Sequence, residues 1–283
     1  MFQRIRTGWQ LTKAAVGIIR QDKEMVVYPI LTIAAILLLA TLFFFIALAS
    51  DLAASLAAPS FTKVTFYLFI ALFLVAAYTI SIFFEGAVIA STLQRCEGKN
   101  PTIASGLRAP TRRIHQLVLW AIIMTVVAVF IQIVRNLGKG KSRGAQVASN
   151  VGATTFQTAW RLLSFFVIPI ILFENTSVFP ALARSKQLFV KTWGENISAQ
   201  VTTSALFILL AFVGVVPLLF AIFLGGETLL QIALVLFSLY LIALIIITTT
   251  INGILVALLY AYATHRKIPK EYGITPQMMI TQR

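Results

Sequence analysis

Six long apolar runs limit the folds open to this chain more than any other feature of its sequence. A helix needs about 20 residues to cross a hydrocarbon core of about 30 Å, and each run is close to that length or longer. Transmembrane β-strands would instead show alternating segments of about 10 residues. The sequence therefore predicts an all-α polytopic membrane protein that forms one membrane domain over residues 1–283. The predicted spans are 26–49, 64–91, 116–135, 156–174, 199–223 and 229–262.

The composition agrees with a membrane location. Hydrophobic residues make up 59% of the chain and charged residues 11%, whereas soluble domains carry about 25% charged residues. A net charge of +14 would suggest nucleic acid as the partner of a soluble protein. In a membrane protein it indicates basic cytoplasmic loops and anionic lipid head groups as partners. We expect no nucleic-acid partner.

Lys and Arg are distributed unevenly between the two sides of the predicted spans. With a cytoplasmic N-terminus, 17 of the 23 lie inside, so the positive-inside rule predicts that both termini are cytoplasmic. The connection 136–155 carries three of the six discordant cations, and its glycines indicate a long loop. Asn175 and Asn196 are potential glycosylation sites in the connection 175–198. A glycan on either would invert the topology.

The N-terminal segment, residues 2–21, is predicted to be an amphipathic helix in the cytoplasmic interface. A mitochondrial transit peptide is the competing interpretation, because no acid precedes Asp22. The segment runs almost directly into the first span, which favours the interfacial helix. Its predicted apolar face carries Phe2, Ile5, Trp9, Thr12, Val16 and Ile19.

A second basic amphipathic segment, residues 179–195, has the same character. Phe179 and Phe189 lie on one face and Lys191 on the other, so this segment is also predicted to be an interfacial helix. The residues predicted to contact anionic lipids or a partner complex are Arg6, Trp9, Lys13, Arg20, Arg112, Arg113, Arg184, Lys186, Lys191 and Trp193.

Glu85 is the main candidate for an intramembrane polar site. A charge at the centre of a membrane helix costs about 2.5 to 3.5 kcal/mol on insertion scales. Glu85 would serve either as a proton or cation relay or as the partner of Arg112, Arg113 or Arg184. We favour the structural ion pair.

Other residues of the predicted spans also have expected structural or functional roles. Asn252 with the preceding threonines either lines a polar path or makes helix contacts and back-bonds, and Asn252-Gly253 is the expected bend of span six. Pro169 and Pro217 are predicted to kink their spans. Glu174 is expected to cap span four or to pair with Arg184 or Lys186, and Arg161 to reach the outer head groups.

The sequence offers few groups for catalysis. It contains nine carboxylates, two histidines and the single cysteine Cys96. It lacks HExxH, GxSxG and CxxC patterns, and one cysteine forms neither an intramolecular disulfide nor a cysteine zinc cluster. We expect a protein that is not an enzyme and that holds no metal or cofactor.

Three stretches carry a family resemblance: RTGWQLTKAAVGIIRQDKE near the N-terminus, GLRAPTRRIHQLVLW in the middle and FENTSVFPALARSKQLFVKTWGEN at 173–196. They resemble domain of unknown function 6159 and, more distantly, the membrane domain of some glycerophosphoryl diester phosphodiesterases. The resemblance implies a six-span prokaryotic membrane protein without an established activity. The phosphodiesterase catalytic residues belong to a separate soluble domain.

Two functional hypotheses follow. The first is a non-enzymatic scaffold or accessory protein whose basic cytoplasmic face binds anionic lipids or a partner complex. The alternative is a transporter or channel for a small or amphiphilic solute that uses Glu85 and Asn252. A lipid-acting enzyme would need a site assembled from Glu85, Glu174 and His115, and no spacing in the sequence demands one.

Overall fold

The protein is helical throughout the part of the chain that the structure describes. This computed structural model describes residues 2–50, 60–140, 142–266 and 268, with the backbone alone for 2–8, 60–63, 191–202 and 224. A 3-10 helix, Lys23–Val26, separates α1 from α2. The helices are α1 (Phe2–Gln21), α2 (Val27–Ala49), α3 (Ser60–Cys96), α4 (Ile103–Arg112), α5 (Ile114–Asn136), α6 (Arg143–Leu163), α7 (Val167–Phe173), α8 (Val178–Leu224) and α9 (Glu227–Ala263).

Six of these helical segments are long and apolar enough to cross a membrane. The all-α, multi-pass prediction is therefore confirmed, and most of the predicted bounds agree with the observed ones within a few residues. The observed segments are Lys23–Ala49, Val64–Cys96, Ile114–Asn136, Arg143–Phe173, Thr203–Phe223 and Glu227–Ala263.

The connection after the third span differs most from its prediction. Helix α6 begins directly after Ser142, whose side chain accepts a hydrogen bond from the Ala145 N–H at 3.3 Å. Most of the expected loop 136–155 is therefore helical. Helix α6 packs along α5, and a Cβ on Gly138 would lie 2.2 Å from Ser149 Oγ. The glycine permits this close approach, and tertiary packing outweighs the low helix propensity of the segment.

The fourth span consists of two helices. Helix α6 ends at Leu163 and α7 begins at Val167, so the turn 164–166 interrupts the span. Pro169 is the third residue of α7, in the first turn, where the backbone N–H has no intrahelical partner to lose. The predicted mid-span kink at Pro169 is thus replaced by a helix break just before it. Residues 167–172 are all buried.

Helices α8 and α9 are each continuous where the sequence suggested an interruption. The predicted interfacial helix 179–195 and the predicted span 199–223 belong to the single helix α8, which also contains Pro217. Helix α9 continues through Asn252 and Gly253. A Cβ on Gly253 would lie 2.8 Å from Val88 Cγ1, so this glycine permits close packing of α9 on α3.

The chain divides into two compact units. Unit 1 comprises Met1–Ile30, Val88–Ser105 and Val190–Arg283, and unit 2 comprises Leu31–Ala87 and Gly106–Phe189. In unit 1 the core is the C-terminal part of α9, whose residues 253–261 are buried. In unit 2 the core is α7. That the whole chain forms one membrane domain stays a prediction.

Helix α1 packs on α9 within unit 1. Its buried face is centred on Leu11, Ala15 and Ile18, whereas Trp9 is 52% exposed. The spacing of these three residues follows one helical stripe, rotated from the predicted stripe that runs through Trp9 and Val16. The apolar face of α1 therefore contacts protein, and its observed orientation corrects the one expected from periodicity.

Candidate functional site: a cationic cluster and an intramembrane carboxylate

Three helices of unit 2 meet at Gly86. A Cβ there would lie 3.1 Å from Leu172 Cδ1 and 3.5 Å from Pro110 Cβ. Because Pro110 is in the last turn of α4 and Leu172 in the last turn of α7, the ends of these helices are adjacent. The cations along and just after α4, together with those in the first turns of α8, are called the cationic cluster below. Its members are Arg108, Arg112, Arg113, Arg184 and Lys186.

One carboxylate balances part of this charge. Arg184 Nε donates to Glu174 Oε2 at 3.3 Å, as expected for the end of span four, and Arg184 Nη1 donates to Gln187 Oε1 at 3.4 Å. The other four cations form no ion pair within 4.0 Å with any residue in the described ranges. Arg108, Arg112 and Lys186 are also exposed. The cluster is therefore positive and open to anions.

A buried serine anchors the start of α8 to the break in span four. The Ser185 hydroxyl accepts a hydrogen bond from the Phe166 N–H at 3.0 Å, and Ser185 is fully buried. The Phe165 and Phe189 rings lie 6.4 Å apart beside this bond. Sequence reasoning missed this role, although Ser185 lies in the stretch 173–196 that carries part of the family resemblance. The bond fixes the start of α8, the helix on which Arg184 pairs with Glu174.

Glu85 lies on α3 in unit 2 and is partly buried. Arg161 is close enough to interact with its carboxylate electrostatically. No described cation lies within 4.0 Å of it, so the expected ion pair with Arg112, Arg113 or Arg184 is not formed. The interaction of Glu85 is with a cation from a different helix, α6.

Arg161 itself is placed differently from its prediction. The span that contains it runs from Arg143 to Phe173, so Arg161 lies well inside the span rather than at its outer end. It is also two residues before the end of α6, next to the break at 164–166. The earlier start of α6 accounts for the change, because the span extends 13 residues further toward its N-terminus than predicted.

Asn252 lies in unit 1 and is exposed on α9. The hydroxyls of Thr248 and Thr250 donate to the carbonyls of Leu244 and Ile246, one turn earlier, at 2.7 and 2.8 Å. These threonines therefore make the back-bonds that are common in membrane helices, and they contribute no polar path in the described structure.

A comparison with protein families identifies the chain's relationship. Residues 64–269 match the model described as Family of unknown function (DUF6159), which is more than half of the chain. The chain belongs to the DUF6159 family. A search of the curated proteins gives no match. The distant similarity to glycerophosphoryl diester phosphodiesterases is therefore unsupported, whereas the DUF6159 resemblance is confirmed.

The DUF6159 match begins within α3 and ends after α9. It covers the cationic cluster, Glu85, Glu174 and Asn252, and it leaves out α1 and α2. The N-terminal stretch that carried part of the resemblance thus lies outside the matched residues.

Unit 1 of this DUF6159 protein contains a charged network that sequence reasoning missed. Asp22 is 6% exposed and forms a two-pronged ion pair with Arg95. Glu24 accepts the Ile103 N–H at 3.1 Å. The available signal was the placement of Asp22 just before the first span and of Arg95 just after the second, on the same predicted side of the membrane.

Unit 1 also contains a hydrogen bond between uncharged side chains and ion pairs between exposed ones. The Tyr28 hydroxyl lies 2.9 Å from Ser91 Oγ. Glu97 pairs with Lys99 at 2.7 Å and with Arg266 at 3.8 Å. Unit 1 therefore neutralises several of its cations internally, in contrast to the cationic cluster of unit 2.

The remaining predicted contact residues lie on α1 and α8. Lys13 and Arg20 are exposed, as is Trp9. The side chains of Arg6, Lys191 and Trp193 lie outside the described residues.

Two buried polar atoms, Gln116 Oε1 and Thr176 Oγ1, lie a few residues from Arg113 and Glu174 in the sequence, and neither has a hydrogen-bond partner in the described structure. Gln116 is in the first turn of α5, and Thr176 lies between α7 and α8. Within the described ranges, no group of three His, Cys, Asp or Glu residues is placed to hold a metal ion.

Proposed function

We propose that this protein is a non-enzymatic scaffold or accessory protein of the plasma membrane, with both termini cytoplasmic, whose cationic cluster binds anionic phospholipid head groups. One observation carries the proposal: the four cations of the cluster other than Arg184 have no described ion-pair partner, and they lie on or just after α4 and in the first turns of α8, in the unit where the ends of α4 and α7 meet at Gly86.

The chemistry of the cluster suits phosphate. Arg guanidinium groups donate parallel hydrogen bonds to phosphate oxygens, and Arg112 and Arg113 are consecutive. The Thr176 hydroxyl adds a buried donor without a described partner. Each cation near an anionic membrane surface contributes about 1 kcal/mol to lipid binding. The cluster therefore favours phosphatidylglycerol-type lipids over zwitterionic ones.

The test is a double neutralisation, Arg112→Gln with Lys186→Gln. Loss of two cations is expected to lower the affinity for phosphatidylglycerol by about 2 kcal/mol, or roughly 30-fold. Native mass spectrometry of the detergent-purified protein, titrated with phosphatidylglycerol or phosphatidylcholine, measures this change.

The matched control removes the same charge from unit 1 through Lys99→Gln with Arg266→Gln. Both cations pair with Glu97, so their loss should affect phosphatidylglycerol much less. Equal losses in the two double variants would show that net charge, and not the cluster, governs binding, and would remove the proposal.

A second function, transport of a small or amphiphilic solute, is favoured by the broken fourth span. Broken membrane helices often flank transport sites, and here Arg161 precedes the break and interacts with Glu85. Ionisable residues inside a membrane protein are typical of substrate or proton pathways.

Proton flux into proteoliposomes tests transport. The Glu85→Gln variant should lose the flux, whereas Glu227→Gln, at the exposed start of α9, should retain it. Equal flux through the wild type and Glu85→Gln would reject transport through Glu85.

A further inference from the structure

A large groove separates the C-terminal part of α8 from the N-terminal part of α9, within unit 1. Its volume is about 920 Å³, near the upper end of the range for small-molecule sites, about 300 to 1,000 Å³. The groove is partly open on one side. Its walls include Val213, Val216 and Phe220 on α8 and Leu229, Ile232 and Leu236 on α9.

Three residues give the groove its shape. The Tyr240 ring lies against Gly214, where an added Cβ would be 2.3 Å from the ring, and the Tyr240 hydroxyl donates to the Leu210 carbonyl at 2.7 Å. This contact ties the two helices together at one level. Pro217, also in the wall, restricts the backbone of α8 beside it.

The groove lies on two helices that hydropathy places in the hydrocarbon core. Their membrane windows have mean hydropathies of 3.0 and 2.8. The one polar side-chain group among the lining residues, the Tyr240 hydroxyl, is already hydrogen-bonded. Water would find no partners there, and an empty groove would lose dispersion contacts along its walls. The molecules that surround these helices at this depth are lipid acyl chains.

We propose that this groove holds one acyl chain of a bilayer phospholipid. The occupant is recognised by its hydrocarbon chain, and the site lies in unit 1, so the inference goes beyond the head-group binding proposed for unit 2. Because α8 and α9 both face lipid along most of these segments, the chain enters from the side.

A phosphatidylcholine with a photoreactive diazirine near the end of its acyl chain tests the site in nanodiscs. Crosslinked peptides from the full-length protein are mapped by mass spectrometry. Residues 213–240 are expected to give a roughly threefold higher yield per residue than the exposed face of α2, because only packing, and no hydrophobic driving force, favours the groove within a membrane. That face carries Leu37, Leu38, Leu42, Phe44 and Phe45.

A substitution that fills the groove with a larger side chain completes the test. Ala233 lines the groove, so Ala233→Trp should lower the crosslink yield to that of the α2 face. Leu234→Trp places the same side chain on the neighbouring position, which is exposed outside the groove, and should leave the yield unchanged. Circular dichroism confirms that both variants keep their helices.

Two results would overturn the assignment. The yield at 213–240 does not exceed that of the α2 face, or Ala233→Trp crosslinks as the wild type does. Since phosphatidylcholine is zwitterionic, failure here leaves the head-group proposal intact, and failure of the phosphatidylglycerol titration leaves this one intact.

Discussion

Unit 1 and unit 2 differ in how many of their charged side chains form ion pairs. In unit 1, Asp22 holds Arg95 and Glu97 pairs with Lys99. In unit 2, Glu174 pairs with Arg184 while the other cations of the cluster have no ion-pair partner in the described structure. Several cations of unit 1 are therefore paired, whereas four of the five cations in the cluster of unit 2 have no described ion-pair partner. The position of a few acids makes the difference.

The largest change in stability is expected when the buried ion pair of unit 1 is broken. Asp22→Asn removes the acid of a largely buried pair and the ion-pair partner of Arg95, which should lower the free energy of unfolding by about 3 kcal/mol, the lower end of the range for broken buried pairs. Thermal unfolding in detergent, followed by circular dichroism, measures the loss. Glu97→Gln disrupts an exposed pair and should cost less than about 1 kcal/mol. Similar losses would mean that burial does not distinguish these pairs.

The second largest change in stability is expected from a substitution that tests how tightly the helices of unit 1 are packed. Gly253→Ala forces a methyl group against Val88 and should destabilise the protein by about 1 to 3 kcal/mol through overpacking. Gly152→Ala on α6 meets no atom within 4 Å and should stabilise by about 0.5 to 1 kcal/mol. The midpoints of unfolding should move in opposite directions. A stabilised Gly253→Ala variant would contradict the close contact between α3 and α9.

A smaller effect concerns the anchor of the cationic cluster. Ser185→Ala removes the hydrogen bond to the Phe166 N–H and should cost about 1 kcal/mol. It should also weaken phosphatidylglycerol binding, because Arg184 loses the neighbour that positions it. Ser238→Ala, at an exposed site on α9 in unit 1, is the control and should change neither quantity. Unchanged lipid binding in Ser185→Ala would show that the anchor does not position the cluster.

The smallest change in stability is expected when two cations of unit 2 that lack a described ion-pair partner are replaced. Arg112→Gln with Lys186→Gln should change the free energy of unfolding by less than about 0.5 kcal/mol, even though lipid binding falls. Raising the ionic strength should weaken phosphatidylglycerol binding to the wild type, since salt screens exposed charges. A large loss of stability in the double variant would indicate that these cations have a structural role.

Much of the fold is readable from the sequence, and the departures have specific causes. Long apolar runs require helices wherever they occur, because a chain in hydrocarbon must satisfy its backbone groups internally. The segment 143–155 was misread because its glycines and polar residues indicate a loop locally, whereas packing against α5 supplies the missing stability. A kink was predicted at Pro169, whereas the span is interrupted at 164–166, before that residue.

The candidate site was predicted only in part. The pairing of Glu174 with Arg184 follows from their places at adjacent helix ends, and it is confirmed. The interaction of Glu85 with Arg161 was missed because it depends on where α6 begins. The Asp22–Arg95 pair joins residues 73 positions apart, and no local pattern identifies such a partner.

That this is an all-α membrane protein with six candidate spans follows from the sequence alone, because hydropathy and helical length depend only on the order of residues along the chain. The sequence also determined an excess of cations. Which of those cations are paired, which face of α1 is buried and where the fourth span breaks were decided by tertiary packing. These properties depend on contacts between distant residues, and the energies of such contacts are set only when the helices meet.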